Sequence, residues 1–266
     1  MDALRRLAPV PIPFEVNAMR QEYNEATFGD RISEIYDGWH PRAPAEMIDT
    51  LREIAGGGPV LELGIGTGRV ALPLAMQGVE VHGIDASEAM VAKMRAKPGG
   101  ERLPVTTGNF ANVDVVHKYS LVFVVFNTFF ALSSQEEQVR CFAKVASCLK
   151  PGGRFLIEAF VPDLSRFTGG QLIQATRVDA GEVRLEASRH DRAAQRVSSQ
   201  HVLIDEAGIR LYPVQVRYCW PSELDLMARL AGMGLAERWS NWRREPFTAE
   251  SGNHISIYEF AASGDL

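Results

Sequence analysis

Between Pro59 and Arg69 the chain reads Pro-Val-Leu-Glu-Leu-Gly-Ile-Gly-Thr-Gly-Arg, an apolar run that breaks into three alternating glycines and continues into Val70, Ala71, Leu72, Leu74 and Ala75. Such a pattern predicts a buried strand that turns sharply into a helix. Gly64, Gly66 and Gly68 let the backbone take left-handed conformations and let a ligand lie against bare main chain, while the new helix offers its free N–H groups. A second apolar stretch, Val79 to Ile84, ends in Asp85, whose carboxylate can accept hydrogen bonds from two ribose hydroxyls. The chemistry implied is that of a nucleotide cradle. A dinucleotide fingerprint would place its third glycine where Arg69 stands, and no Gly-Lys-Ser/Thr follows to make a phosphate loop. The acid before the glycines, Glu62, would repel a pyrophosphate and suits a ligand with a cationic end.

These residues resemble the first and second motifs of the class I S-adenosylmethionine-dependent methyltransferases, an acid with three alternating glycines and a second strand that ends in an acid. The resemblance spans about Tyr36 to Phe160 with the order of motifs preserved. It includes the Tyr36-Asp37 segment ahead of the glycines, and Leu149-Lys150-Pro151-Gly152-Gly153 ahead of a fifth strand. It implies a doubly wound, mostly parallel seven-stranded Rossmann-like α/β sheet with an antiparallel edge strand. It also implies S-adenosylmethionine as cofactor and S-adenosylhomocysteine as product; separately, three cysteines without ligand spacing and six scattered histidines give the expectation of no metal. The cofactor contacts carried over are Tyr36, Glu62, Gly64, Ile65, Gly66, Gly68, Arg69, Asp85, Ala86, Met90, Asn109, Phe110, Phe126, Asn127 and Thr128. One departure concerns Gly108-Asn109-Phe110, where the family usually has an acid. An amide oxygen at Asn109 can still accept from an adenine N–H.

A sulfonium is already an activated methyl donor, so a protein using it chiefly aligns the acceptor and excludes water. A hydroxyl acceptor needs a base within reach, and an amine does not. The candidates for a base are His254, Glu158 and His190, each of which also has an ordinary structural reading. The acceptor is expected against Trp39, Phe129, Phe130, Arg189, Arg217, Tyr218 and Trp220.

The elements that must position these groups are legible as periodicities. From Phe14 to His40, Val16, Met19, Tyr23, Phe28, Ile32, Ile35, Tyr36 and Trp39 recur at helical spacing and predict a lid of two short helices. Pro44 and Gly56 bracket a helix over Ala45 to Ala55. Ser87 is placed to cap the next helix, and Ser134 with Glu137 forms a capping box for another that runs to Leu149. Leu103 to Thr107, Tyr119 to Phe126 and Arg154 to Phe160 read as strands, with Lys150 to Gly153 as the turn into the last. Asn127-Thr128-Phe129-Phe130 then falls at a strand's C-terminal end, where open α/β sheets place ligands.

From Thr176 to Trp220 the period becomes alternating. Val183 to Ala187, Val197 to Ile204 and Ile209 to Tyr218 predict antiparallel strands, with Asp205 to Gly208 as a hairpin turn. A sheet inserted there is similar to the substrate cap of sugar N-methyltransferases, so acceptor selection is expected in it. Pro221 and Ser222 start a further helix, and Leu235 to Trp242 with His254 to Ala261 close the sheet. The organisation expected is a lid over 1–40, a cofactor-binding core over 41–175, a cap over 176–220, and the rest of the core over 221–266.

Composition narrows the partners. Over 266 residues, 28 Lys and Arg face 33 Asp and Glu for a net charge of −5, and no basic run appears, which argues against nucleic acid. Prolines at 9, 11 and 13 spoil a signal-peptide core, and no apolar run reaches membrane-spanning length, so a cytoplasmic protein without a membrane partner is expected. Cys141, Cys148 and Cys219 show no ligand pairing and read as small buried hydrophobes. The function expected is methyl transfer to N, O or C of a small metabolite, as in secondary metabolism, and the same reading leaves a homodimer open. The alternatives are a protein or nucleic-acid methyltransferase and a non-catalytic binder of the same cofactor. The first of these usually has Asn/Asp-Pro-Pro-Tyr/Phe where Asn127-Thr128-Phe129-Phe130 stands.

Overall fold

Alternation within short apolar strands sends successive side chains to opposite faces, and here both faces are covered. A computed structural model describes residues 23–112, 114 and 116–260. The strands β1 (Val60–Leu63), β2 (Val81–Asp85), β3 (Val105–Thr107), β4 (Tyr119–Val124) and β5 (Leu149–Phe160) run parallel to one another. On one face Leu61, Leu63, Val122, Val124, Phe155 and Ile157 pack against α6 (Gln135–Cys148) and α7 (Pro221–Leu230). On the other, Val60, Leu121, Phe123 and Leu156 pack against α3 (Ala45–Ala55), α4 (Ala71–Met76) and α5 (Glu88–Arg95). The three cysteines are free and buried in the first of these layers.

The seven-stranded order is β10-β11-β5-β4-β1-β2-β3, where β10 is Met233–Trp239 and β11 is Asn253–Phe260. β11 is the reversed strand, antiparallel to both β5 and β10, and β10 forms the edge. The chain steps outward from β1 to β2 and β3 and then returns to β4, so the strand order reverses between β1 and β4. At that reversal the loops after the two strands diverge and leave a crevice.

Local signals explain most boundaries. Gly56 ends α3 in the left-handed conformation at φ 57°. Ser87 Oγ accepts from Met90 N–H at 3.2 Å. Ser134 and Glu137 complete their reciprocal capping box. The turn expected over Lys150 to Gly153 lies inside the range of β5: Gly152 takes φ 74°, Gly153 folds back against Lys150, and the pairing with β4 skips from Leu149 to Arg154. One expectation needs correction. The cap holds four strands, not three, because β6 (Gln171–Val178) precedes β7 (Glu182–Asp191), β8 (Arg196–Asp205) and β9 (Gly208–Arg217). The division expected at residue 176 therefore falls within a strand.

The lid helices are α1 (Thr27–Ile32) and α2 (Tyr36–Trp39). The expected start of the lid at Phe14, with Val16 and Met19, lies outside the described residues, as does Ala261. Gly29 is where α1 meets α5: a Cβ there would stand 2.5 Å from Ser87 Cβ. At the same contact Ser87 Oγ donates to Asp30 Oδ1 at 2.6 Å. Asp37 accepts from Thr67 Oγ1 at 2.7 Å and pairs with Lys97 at 2.7 Å, so α2 is fastened to the glycine loop. Leu203 and Tyr212 of the cap close the other side of the lid by packing on Ile32.

Candidate active site

The glycine loop, lid and cap enclose one cavity of about 890 Å³. At its inner end lie Gly64, Arg69, Asp85, Ala86, Met90, Asn109, Phe110, Phe126, Asn127 and Thr128, with Tyr36 of the lid above them. Gly64 faces Thr128 across the β1/β4 crevice so closely that a Cβ would overlap Thr128 Cγ2, and its φ of 79° is a second reason for glycine there.

Asp85 fixes the loop. Its Oδ2 accepts from Gly66 N–H at 2.7 Å and its Oδ1 from Ser87 N–H at 2.8 Å. A carboxylate has about four acceptor positions, so these bonds leave capacity for hydroxyls in the cavity. Burial raises the Asp85 carboxyl above the ordinary aspartate range, against the lowering effect of those two N–H groups. Asn109 is also braced: Nδ2 donates to Glu137 Oε1 at 3.0 Å and Oδ1 accepts from Ala111 N–H at 2.9 Å. The glutamate that caps α6 thus holds the residue at the end of β3.

Arg69 is set on aromatic rings. Its guanidinium carbon lies 3.4 Å from the centroid of the Phe126 ring and 5.6 Å from that of Tyr36. Phe126 itself takes φ 55°, a conformation costly for a bulky residue. Glu158 holds it there by accepting from Phe126 N–H at 2.9 Å and from Trp242 Nε1–H at 2.7 Å. Asn127, at φ 66°, accepts from Phe160 N–H at 2.7 Å and ties the same turn to the end of β5.

Several residues expected at the cavity lie elsewhere. Glu62 is buried beneath the loop and does not line the cavity. Burial foremost, with the Asp85 carboxylate adding to it, pushes its carboxyl well above the usual range, and Oε2 has no hydrogen-bond partner among the described residues. Ile65 is packed in the core, where a Cβ on Gly83 would strike it. Gly66 contributes its N–H to Asp85. An added Cβ there would meet Met90 Cε at 3.4 Å and Gly64 O at 3.9 Å, ordinary contacts, so its φ of 55°, more than lack of space, calls for glycine. Gly68 faces the core, where a Cβ would stand 2.7 Å from Met94 Cγ.

Phe129 and Phe130 are fully buried beneath the site. Trp39 is cemented between lid and cap, 5.1 Å from Tyr212 with Arg184 over its ring at 4.4 Å. Arg217 is buried, donates to Gln138, to Gln195 at 2.9 Å and to Glu223 at 2.7 Å, and clamps the cap to α6 and α7. Arg189 lies on the exposed surface of the cap, and Trp220 sits at the start of α7.

None of the three candidate bases lines the cavity. Glu158 is the brace just described. His254 is fully buried, held at Nδ1 by Ser256 Oγ at 2.9 Å, and burial lowers it to about 4. His190 stands behind the wall: Nε2 meets Tyr218 Oη at 2.9 Å and its ring lies 4.6 Å from Phe167, and those two partners do line the cavity.

The outer end of the cavity contains residues that the sequence did not mark. Glu186, Ser199, His201, Val214 and Val216 come from the inner face of the cap, Arg166 and Phe167 from the segment before β6, and Tyr23 and His40 from the lid side. Burial lowers His201 and takes His40 to about 4. Strand alternation makes Ser199 and His201 same-face neighbours, yet which face meets the core depends on how the cap docks. Among the described residues no three His, Cys, Asp or Glu side chains converge as a metal site, and no helix is long and apolar enough to cross a membrane.

Comparison with known proteins agrees with this geometry. A family profile described as a methyltransferase domain matches residues 60–153, from β1 to the start of β5. The structure of the CcbJ methyltransferase from Streptomyces caelestis superposes with a TM-score of 0.84 and 43% identity, over 90% of this chain and 100% of that one. This chain belongs to the class I S-adenosylmethionine-dependent methyltransferases. Within that family it is 28% identical over 205 residues to the cypemycin N-terminal methyltransferase of a Streptomyces species, covering 76% of this chain and 83% of that protein. The sugar N-methyltransferase KedS8 from Streptoalloteichus sp ATCC 53650 shares the fold, with a TM-score of 0.64 and 18% identity over 90% and 97% of the two chains. The methyltransferase motifs thus lie at the β1/β4 crevice, and the cap belongs to the shared fold.

Proposed function

We propose that this methyltransferase holds S-adenosylmethionine at the inner end of the cavity and transfers its methyl group to nitrogen of a small metabolite held between lid and cap, in secondary metabolism. One observation carries the reading. The glycine loop and Asp85 share a single cavity with Ser199, His201 and Tyr218 of the cap, so donor and acceptor can meet without solvent between them.

The residues present fit the cofactor. Asp85 keeps acceptor capacity for ribose hydroxyls after binding Gly66 and Ser87, and Asn109 and Phe110 stand at the end of β3 for a base. Arg69, whose Nε has no hydrogen-bond partner among the described residues, offers a cation to a carboxylate. The bound cofactor supplies a methyl group already activated on a sulfonium. The protein's share is then alignment and exclusion of water: Gly64 permits close approach, Phe126 and Tyr36 position Arg69, and the lid fastened through Asp37 and Asp30 covers the site.

Nitrogen is favoured by two named relatives, one acting at the N-terminus of cypemycin and one a sugar N-methyltransferase. It also agrees with the off-cavity positions of Glu158, His190 and His254, because an amine that is neutral can attack without a dedicated base. The division of labour proposed is a lid ending near residue 40, a core that binds cofactor, and a cap that selects the acceptor.

Calorimetry with S-adenosylmethionine and S-adenosylhomocysteine tests the first half. Incubation with small primary and secondary amines, matched alcohols, a peptide and a nucleic acid, read by S-adenosylhomocysteine release and product mass, tests the second. Cofactor binding without turnover on any acceptor would favour a binder, and turnover on the polymers alone would overturn the small-metabolite reading.

A further inference from the structure

The outer face of the cap is apolar in a way that a monomer does not require. Pairing across β6, β7, β8 and β9 places Val178, Val183, Ile204 and Ile209 in one row, Ala175, Leu185, Val202 and Leu211 in the next, and Ile173, Ala187, Gln200 and Pro213 in a third. These rows are two residues apart along β7, β8 and β9, and a bulge in β6 between Ala175 and Arg177 lengthens the step from Ala175 to Val178 to three residues while keeping both opposite the same face of β7. The alternate residues, including Glu186, Ser199, His201, Leu203 and Tyr212, share the other and meet the cavity or the lid. The three outer rows contain no ionised side chain, and the fourth, Gln171, Arg189, Ser198 and Gln215, is a polar rim. Exposure confirms the orientation: Ile173 is 76% exposed, Val178 and Ile209 69%, and Leu211 54%.

A half-buried antiparallel sheet normally turns polar residues outward. With strands about 4.8 Å apart and residues rising about 3.3 Å each, the patch covers roughly 400 Å² in plan, as large as the biggest patches on typical monomers. We infer that this face is covered by the same face of a second copy, forming a two-fold dimer through stacked caps. A charge-free sheet is self-complementary: an isologous contact between identical faces buries no like charges, and two sheets stack at about 10 Å with strands nearly aligned. Covering the patch on both copies removes about 800 Å² in plan, and side-chain relief with the polar rim adds to this towards the lower bound of about 1,200 Å² for specific interfaces. The chain's net charge of −5 and the absence of basic residues from these rows disfavour an anionic membrane as the occupant. The inner face of each cap stays free for its own cavity.

Light scattering and sedimentation of the full chain across micromolar concentrations should give a mass approaching twice that of one chain. Leu211→Lys and, at the far edge of the sheet, Ile173→Lys should each return it to one chain. Neither residue lines the cavity, so the dissociation constant for S-adenosylhomocysteine should not move. Because Cys141, Cys148 and Cys219 are buried, a short bis-maleimide should leave the wild type uncrosslinked and join Val202→Cys into a covalent dimer. A wild type that stays monomeric at every concentration, as it would if the chain's own first residues covered the face, overturns the inference. So does a dimer that survives both lysines, or one whose Val202→Cys variant does not crosslink. If the lysine variants do not fold, the crosslink decides alone.

Discussion

The carboxylate of Asp85 accepts a hydrogen bond from Gly66 N–H at 2.7 Å, joining the end of β2 to the glycine loop after β1. The residue proposed for the ribose therefore also shapes the glycine loop on which the proposed cofactor site is built. Removing it acts twice. Asp85→Ala is expected to weaken S-adenosylhomocysteine binding by roughly 1.5–3 kcal/mol while the protein stays folded, since the bonds lost involve a charged acceptor. Unchanged affinity in calorimetry would remove Asp85 from the site.

The same residue predicts a pH dependence. Burial raises its folded-state carboxyl above the ordinary aspartate range. Relative to the unfolded chain it favours the folded state fully below the unfolded pKa, and that contribution is lost as pH rises through the raised folded value. Binding has the opposite sense, because the ionised form is the better acceptor. S-adenosylhomocysteine affinity should therefore fall on acidification at a higher pH than an exposed aspartate would dictate. Asp85→Asn should flatten that limb in a titration series.

Gly29 touches Ser87 where the lid crosses α5. Gly29→Ala would drive a methyl group into the Ser87 side chain, whose Cβ and Oγ would stand 2.5 and 2.8 Å away, and so push Ser87 off its bond to Asp30. An overpacking cost of about 1–3 kcal/mol is expected in chemical denaturation. Cofactor affinity should fall with it, because Tyr36 and Asp37 hang on the same lid.

Glu158 provides a sharp separation of roles. If it only holds Phe126 and Trp242, Glu158→Ala should destabilise the protein by about 1–3 kcal/mol through two unpaired N–H groups. Glu158→Gln, which keeps an acceptor, should recover much of that loss. The pH profile of kcat/KM should keep its shape in the glutamine variant, and loss of an acidic or basic limb would restore Glu158 as a base.

Cap residues should divide by face. His201→Ala, on the inner face, is expected to raise KM for the acceptor and leave the S-adenosylhomocysteine dissociation constant unchanged. Arg217→Ala should instead cost about 3–5 kcal/mol of stability, because it strands the Glu223 carboxylate in a largely buried clamp. Arg217 and its neighbouring amides hold Glu223 below the ordinary glutamate range, against burial. Their contribution is present above the unfolded pKa and is lost as pH falls through the lowered folded value, so the wild type should lose stability there and Arg217→Ala should not.

The sequence alone determined the parts of this protein that are local or periodic. Gly64 to Gly68 between apolar runs, Asp85 closing a strand, Ser134 with Glu137, and Pro44 with Gly56 each act within a few residues. Their chemistry therefore follows from residue type and spacing, and the family follows from their order. Tertiary structure decided which side of each element meets the cavity. Glu62 and Gly68 belong to the motif yet face the interior, because one strand and one turn present alternate residues to opposite sides. Arg217 and Tyr218 are adjacent, and only Tyr218 reaches the cavity. Glu158 and His254 sit near strand ends, where sequence places candidate bases, but Phe126 and Trp242, distant in the chain, take both oxygens of Glu158, and Ser256, two residues on along the same face of β11, holds His254 Nδ1 inside the core. The inner face of the cap was hidden for the same reason. A two-residue period says that two faces differ, and only docking against Ile32 and Trp39 of the lid selects the one with His201 to look inward.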